Sequence, residues 1–375
     1  MRSILYVSGT RADYGLMRHT LRMIDRSSDL NLGLIVTGMH LSEKFGLTVD
    51  EIKADKLTIR GFAATEVDDS SGHAMAKAIG KMTIAFTDIM LAERPDIVLL
   101  VGDRGEMLAG AIAAIHLNIP IAHIHGGERS GTVDEPVRHA ISKLSHFHFV
   151  ATDGARNRLT RMGEKPEHIY IVGAPGIDGI QSSATHSRTE LMAELLLDTG
   201  KPVALMVFHP VLQDENGLSH ARAIIEQLVA KSVQIVALAP NSDAGSEAIR
   251  RLLDNALEND QIKLAKHFER GKFLSWMASA DLMIGNSSAG IIEAASFGIP
   301  VVNVGNRQNL RERNRNVIDV ATDAQAIADG IDLALGKLKD GTKNIYGNGN
   351  AAAKITELLK SLPLGPDVMD KCCVY

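Results

Sequence analysis

The feature that most constrains this chain is an alternation that occurs twice. Almost continuous apolar runs at residues 3–8, 31–37, 97–101, 119–124 and 148–151 are separated by amphipathic stretches such as 14–26, 72–94 and 106–117. An unbroken apolar run is what a parallel strand buried on both faces requires. Parallel neighbours need a crossover, and the amphipathic stretches supply helices for it. The scheme restarts with strands expected at 203–207, 233–239, 282–285 and 301–304, and helices at 219–230, 246–255, 273–278 and 289–297. This predicts an α/β chain of two Rossmann-like doubly wound domains. The soft polar stretch 173–201, with Pro175, sets the boundary. Residues 1–175 form the N-terminal domain and 176–375 the C-terminal one, with a last helix near 351–361 able to pack on either. Two such domains facing one another leave a cleft at the carboxyl ends of their strands.

Bulk properties exclude several functions. A formal net charge of −5 disfavours nucleic acid as the main partner, because phosphate backbones reward clustered Lys and Arg. No stretch approaches the roughly 20 apolar residues of a membrane span. The opening MRSILYVSGT is too short in apolar length for a signal peptide. The two cysteines, Cys372 and Cys373, offer neither a disulfide framework nor zinc spacing, so a cytoplasmic protein is expected.

Candidate chemistry lies at strand ends. S-G-T-R-A-D-Y-G at 8–15 follows the first strand and opens the first helix. Free N–H groups and a positive helix end there suit phosphate, and Arg11 adds a charge-assisted donor. The segment is neither GxGxxG nor a P-loop; the plain alternative is an ordinary turn. G-N-S-S-A-G-I-I-E at 285–293 has the same position in the second domain. Ser287 and Ser288 can cap that helix or donate to a diphosphate, and Glu293 can reach a ribose diol. In V-G-D-R-G-E, Asp103 and Arg104 form either a structural ion pair or a site with Asp103 as an acid–base or sugar-hydroxyl ligand. The richest segment is A-H-I-H-G-G-E-R-S-G-T-V-D-E-P-V-R-H at 122–139. His123 and His125 would share one face of a strand. Glu128 and Asp134 follow in a loop, and two carboxylates with a histidine suit proton transfer. A Zn²⁺ or Mn²⁺ site from His-x-His with Asp103 is the rival; no metal is the reading taken, since Arg11 and helix ends can meet diphosphate charge. His146 and His148 read as core. His209 in M-V-F-H-P, Asn241 in A-P-N-S-D-A-G and Arg307 in G-N-R-Q also end strands, as candidate nucleotide contacts.

The ordered set S-G-T-R-A-D-Y, V-G-D-R, H-I-x-G-G-E-x-S-G-T-x-D, R-H-A-I-S-K-L, F-H-P, P-N-S-D-A-G and G-N-S-S-A-G-I-I-E resembles one family. It is similar to the hydrolysing UDP-N-acetylglucosamine 2-epimerases, including bacterial sialic-acid pathway enzymes, from about residue 3 to 320. The resemblance implies the GT-B architecture, a UDP-sugar substrate, no cofactor, and a homodimer or homotetramer. It implies anti elimination of UDP across C1 and C2, then water addition giving N-acetylmannosamine. Arg11, Arg104, Asn241, Ser287, Ser288, Glu293 and Arg307 become UDP contacts, and Phe268 a backbone contact to uracil. His209 holds phosphate or assists the leaving group, while Asp103 and Asp134 are acid–base or sugar-positioning residues. Well-studied members carry a carboxylate where His125 stands, so His125 or Glu128 is the expected base. The expected sugar is N-acetylglucosamine, and the same chemistry on a 2,4-diacetamido-2,4,6-trideoxyhexose, on a legionaminic acid route, is the alternative that His125 raises. A non-hydrolysing epimerase, a GT-B glycosyltransferase and a nucleotide-sugar binding protein are the alternatives. The crowding of Asp103, His125, Glu128 and Asp134 argues against a mere binder. The animal enzyme's regulatory helix is only partly matched around Arg250, with Leu253 in place of a second Arg, so no inhibition by CMP-sialic acid is expected.

Overall fold

A computed structural model describes residues 1–65, 71–130, 134–211, 216–240, 245–337, 339 and 343–374. The chain divides into two compact units. Unit 1 comprises Met1–Arg129, Val133–Asp178 and Tyr346–Tyr375, and unit 2 comprises Ser130–Thr132 and Gly179–Ile345.

Unit 1 carries strands β1 (Arg2–Ser8), β2 (Leu30–Thr37), β3 (Ile59–Ala63), β4 (Ile97–Val101), β5 (Ile121–Ile124), β6 (Phe147–Val150) and β7 (Ile169–Ile171). Its helices are α1 (Arg11–Asp25), α2 (Val49–Ala54), α3 (Gly72–Glu93), α4 (Gly105–His116), α5 (Asp134–Leu144) and α6 (Asp153–Arg161). Unit 2 carries α7 (Ile180–Ser183), α8 (Arg188–Glu194), β8 (Val203–Val207), α9 (Gly217–Ala230), β9 (Gln234–Leu238), α10 (Ser246–Glu258) and β10 (Lys263–Ala265). It continues with α11 (Arg270–Ser279), β11 (Leu282–Gly285), α12 (Ser288–Ile292), β12 (Val301–Val304), β13 (Val317–Val320) and α13 (Ala324–Leu335). The chain then returns to unit 1 with α14 (Ala351–Ser361) and α15 (Pro366–Met369).

The sheets are parallel, in the orders β3-β2-β1-β4-β5-β6-β7 and β10-β9-β8-β11-β12-β13. Both reverse direction between their first and fourth strands, the doubly wound arrangement. The core follows the apolar runs. All five residues of β4 are at most 5% exposed, each such side chain contributing roughly 1.5–3 kcal/mol of burial. The four strands missing from the sequence reading, β3, β7, β10 and β13, are short and half-exposed. They lie at sheet edges, where one neighbour and one buried face relax the demand for apolar residues.

Local signals explain the helix ends. Thr10 and Asp13 form a reciprocal capping box at the start of α1. Helix α3 ends on Arg94 in the left-handed region (φ +44°), immediately before Pro95. Helix α14 packs against α1, and the Asp178 carboxylate accepts from the N–H groups of Ala351 and Ala352 at its start. A carboxylate at a helix N-terminus meets both unpaired donors and the positive end of the dipole. Among the described residues no helix is long and apolar enough to cross a membrane.

Candidate active site

Reversal of strand order opens a crevice at the carboxyl ends of β1 and β4, and again at β8 and β11. In unit 1 Arg11 follows β1 and the loop bearing Asp103 and Arg104 follows β4, the neighbouring strand. The turn after β1 differs from the sequence reading. Its N–H groups are not free: Gly9 and Thr10 donate to Asp13 Oδ2 at 3.0 and 2.6 Å. The Thr10 hydroxyl reaches the same oxygen at 2.9 Å, while Ser8 Oγ and Tyr6 OH reach Oδ1 at 2.5 and 3.2 Å. A carboxylate from the chain itself fills the anion-binding concavity.

Asp103 pairs with Arg138 rather than with its neighbour Arg104, so the adjacent-residue ion pair considered from sequence does not form. Arg138 is fully buried on α5; its guanidinium contacts the Asp103 carboxylate and donates to Glu128 O at 3.0 Å. Arg104 Nε lies 3.4 Å from Glu106 Oε2.

The H-I-H-G-G-E segment is also corrected. Strand β5 ends at Ile124, and His125 beyond it has φ +65°, so strand alternation no longer puts it on the face of His123. A left-handed backbone at a non-glycine residue is strained and concentrates at functional sites. His125 Nδ1 lies 2.6 Å from Glu128 Oε1, with both residues buried. A carboxylate only accepts, so Nδ1 carries the proton, and in the neutral ring Nε2 keeps the lone pair. His123 engages both ring nitrogens, with Gly102 O at 2.7 Å and Ser142 Oγ at 3.1 Å. It is therefore not disposed as a metal ligand beside His125. No cluster of three or more potential metal ligands occurs among the described residues. Asp134 stands in the first turn of α5, one turn before Arg138 on the same helix. Unit 1 thus joins Asp103, Glu128 and His125 through Arg138, to which the sequence reading gave no role.

In unit 2 the organising residue is Asn286. Its side chain accepts from His209 N and donates to His209 O, both at 2.8 Å. Its carbonyl accepts from Arg307 at 3.1 Å and Gln308 at 3.2 Å. Gly285 has φ +136°, and a Cβ there would stand 2.0 Å from Val207 O, so only glycine lets β11 turn beside β8. Ser287 caps α12 by accepting from Ala289 N at 3.3 Å, and Ser288 opens that helix. Glu293 is 4% exposed and paired with Arg270 at 2.6 Å. The Phe268 ring stacks on Trp276, so its backbone is the part able to serve a ligand. Asn241 lies outside the described residues. A cavity of about 530 Å³ opens at the ends of β8, β11, β12 and β13, lined among others by Phe208, His220, Asn286, Arg307 and Thr322. Asn286, Arg270 and Arg138 are the residues the sequence reading missed; a buried Arg on the apolar stripe of α5, beside Ile141, is the one signal it offered.

Comparison with known proteins decides the family. Residues 22–360 match the family model described as UDP-N-acetylglucosamine 2-epimerase. The chain belongs to the UDP-N-acetylglucosamine 2-epimerase family. It is 49% identical, over 100% of both chains, to the UDP-N,N'-diacetylbacillosamine 2-epimerase (hydrolyzing) of Legionella pneumophila. It is 35% identical, over 96% of both chains, to the UDP-N-acetylglucosamine 2-epimerase of Neisseria meningitidis serogroup B. A crystal structure of a UDP-GlcNAc 2-epimerase from Neisseria meningitidis bound to UDP-GlcNAc superposes with a TM-score of 0.80 at 20% identity, covering 95% of this chain and 99% of that one. That likeness shows the two-domain α/β fold of GT-B type.

Proposed function

We propose that the protein is a hydrolysing UDP-sugar 2-epimerase whose substrate is UDP-N,N'-diacetylbacillosamine. The observation that carries the reading is the buried His125–Glu128 pair, which presents an imidazole oriented by a carboxylate, with His125 standing where well-studied members carry a carboxylate. The 49% identity to the Legionella enzyme, end to end, supports the substrate and the hydrolytic outcome.

In the first stage His125 Nε2 takes the C2 proton while the C1–O electron pair leaves with UDP, forming the C1=C2 bond of a 2-acetamidoglycal. A proton α to no carbonyl is a weak acid, so positioning of the base and advanced C1–O cleavage are both needed. Glu128 holds the imidazole in the tautomer that accepts. Asp103, fixed by Arg138, and Asp134 position sugar hydroxyls or move the second proton. In the second stage water adds at C1 and a proton arrives at the opposite face of C2, giving the manno sugar and free UDP. His209, Arg307, Ser287 and Ser288 receive the diphosphate, whose departing charge is the largest electrostatic demand of the reaction. Glu293, held by Arg270, takes the ribose. Asn241 and the backbone of Phe268 complete the nucleoside contacts, and Arg11 and Arg104 add positive charge.

Proton NMR of the protein with UDP-N,N'-diacetylbacillosamine in D₂O tests this. UDP release, with deuterium at C2 of a free manno-configured sugar, is expected. A product that still carries UDP would replace the hydrolytic reading with a non-hydrolysing one. UDP-N-acetylglucosamine is the second substrate reading, favoured by the 35% identity to the Neisseria enzyme. It prevails if kcat/KM for that sugar is the higher of the two.

A further inference from the structure

His123 is fully buried between two elements that each carry half of one ion pair. Its Nε2 meets Gly102 O at 2.7 Å, in the residue before Asp103, and its Nδ1 meets Ser142 Oγ at 3.1 Å on α5. A carbonyl only accepts, so Nε2 carries the proton and Nδ1 takes the Ser142 hydroxyl. Ser142 lies four residues after Arg138, hence on the same face of α5. Gly102 has φ +79°, a conformation that admits little freedom for any residue but glycine and depends on its neighbours to stay fixed. Gly126 closes over the contact: a Cβ there would lie 2.9 Å from Ser142 Oγ and 3.0 Å from His123 Nδ1.

We propose that His123 is a positioning residue, a neutral imidazole brace that ties the Asp103 loop to α5 and so sets the Asp103–Arg138 pair for the reaction. The inference rests on the proposed reaction for its catalytic consequence, and on geometry alone for the brace. The surroundings keep the ring neutral. Burial lowers its pKa to about 3; the bond to Gly102 O and the Glu128 charge oppose that lowering, and His148 on β6 and His125 beyond β5 add to it. His125 and His123, two residues apart, therefore have different tasks: one exchanges a proton and the other holds the frame.

Three measurements test the brace. In ¹⁵N-histidine-labelled protein, His123 is expected as the Nε2–H tautomer, unchanged from about pH 5 to pH 8. Titration in that range, or the Nδ1–H tautomer, would overturn the proposal. In ¹⁵N-arginine-labelled protein, the Arg138 Nε–H signal is expected to be sharp in the wild type and shifted or broadened in Ser142→Ala, a small cut that keeps the helix. An unchanged signal would overturn it. In turnover, His123→Phe should lower kcat about 30-fold with KM within about threefold, the signature of lost alignment rather than lost binding. His123→Gln, which keeps a donor for Gly102 O, should recover most of the loss. A folded His123→Phe with wild-type kcat would overturn the catalytic role. If His123→Phe does not fold, Ser142→Ala takes its place, with kcat expected to fall about fivefold. A wild type that releases no UDP from either sugar would count against the proposed function, while the two NMR measurements would still decide the brace.

Discussion

Four buried histidines of unit 1 make its stability fall in acid by an amount the structure sets. His40, His123, His146 and His148 all have pKa values pushed below the ordinary 6.5, with burial the leading cause in each. For His123 the folded value is about 3 and for His146 about 4. A histidine whose folded pKa is depressed stays neutral in the native state while the unfolded chain takes up a proton below 6.5. The unfolded state then binds more protons, so stability falls as the pH drops from about 6.5 toward the folded pKa. Each group costs about 1.4 kcal/mol per pH unit inside that window. Between pH 7 and pH 5, His123 and His146 remove about 2 kcal/mol apiece, and His40 and His148 act in the same direction. About 4 kcal/mol is a large part of the 5–15 kcal/mol of a typical domain. Urea titrations at pH 7 and pH 5, followed by far-ultraviolet circular dichroism, should show a transition moved to much lower urea. Trp276, the sole tryptophan, lies in unit 2 and reports a unit that contains none of the four. Its fluorescence transition should move less. His123→Gln should reduce the pH slope by about 1.4 kcal/mol per unit. Equal midpoints at both pH values, or an unaltered slope in that variant, would refute the reasoning.

Other perturbations probe other parts of the frame. Asp13→Ala strips the acceptor from Gly9 N, Thr10 N and the Ser8 hydroxyl, and should destabilise the protein by about 3 kcal/mol in urea unfolding. Asp103→Asn and His209→Ala should each slow UDP release at least about 100-fold; near-normal rates in both would mean that the site lies elsewhere. Lys371→Met removes an ammonium 2.7 Å from Glu164 and 3.2 Å from Ser142 O, and should cost about 2 kcal/mol by the same titration. Burial alone would raise the Glu164 pKa, but bonds from His148, Lys143 and Lys371 overcome it and bring it to about 2. The stability this carboxylate gives is complete above its unfolded value of 4.5 and is lost as pH falls from there toward 2, which Lys371→Met should flatten.

The fold was legible wherever burial on both faces forces a continuous apolar run. Strand β4, with the sequence IVLLV, could be little else. Strand β3, IRGFA, is broken by Arg60 and Gly61, and β13 carries Asp319, because edge strands need not satisfy two neighbours. The strand-end positions of Asp103, His209 and Arg307 were legible for the related reason that parallel sheets gather the loops after their strands at one edge. Their partners were not. Asp103 and Arg138 are 35 residues apart, and His209 and Asn286 are 77 apart, distances over which a sequence pattern carries no contact information. The turn after β1 failed differently. Its N–H groups were expected to be free for phosphate, yet Gly9 and Thr10 donate to Asp13, only three residues beyond Thr10, and a capping box reads the same as an open anion site until the side chain is placed.

In the H-x-H segment a backbone change gives two identical side chains different surroundings. If β5 ran on through His125, both imidazoles would face the same way and meet the same surroundings, as a metal pair requires. The strand instead ends at Ile124, and the positive φ of His125 turns its ring toward Glu128, three residues on. His123, still within the sheet, pairs in register with Leu100 on β4 and His148 on β6 and is held from both sides. A ring held at both nitrogens has no lone pair left to accept a proton from a substrate. A ring held at one nitrogen by a carboxylate has its second nitrogen oriented and available, the arrangement on which general-base catalysis depends. Gly126 and Gly127 make that division possible: the first lets the chain pass close over His123 and Ser142, and the second, at φ +73°, brings it close against the Ala155 carbonyl. A side chain at either glycine would disturb the His125–Glu128 pair and the His123 brace together, through the backbone they share.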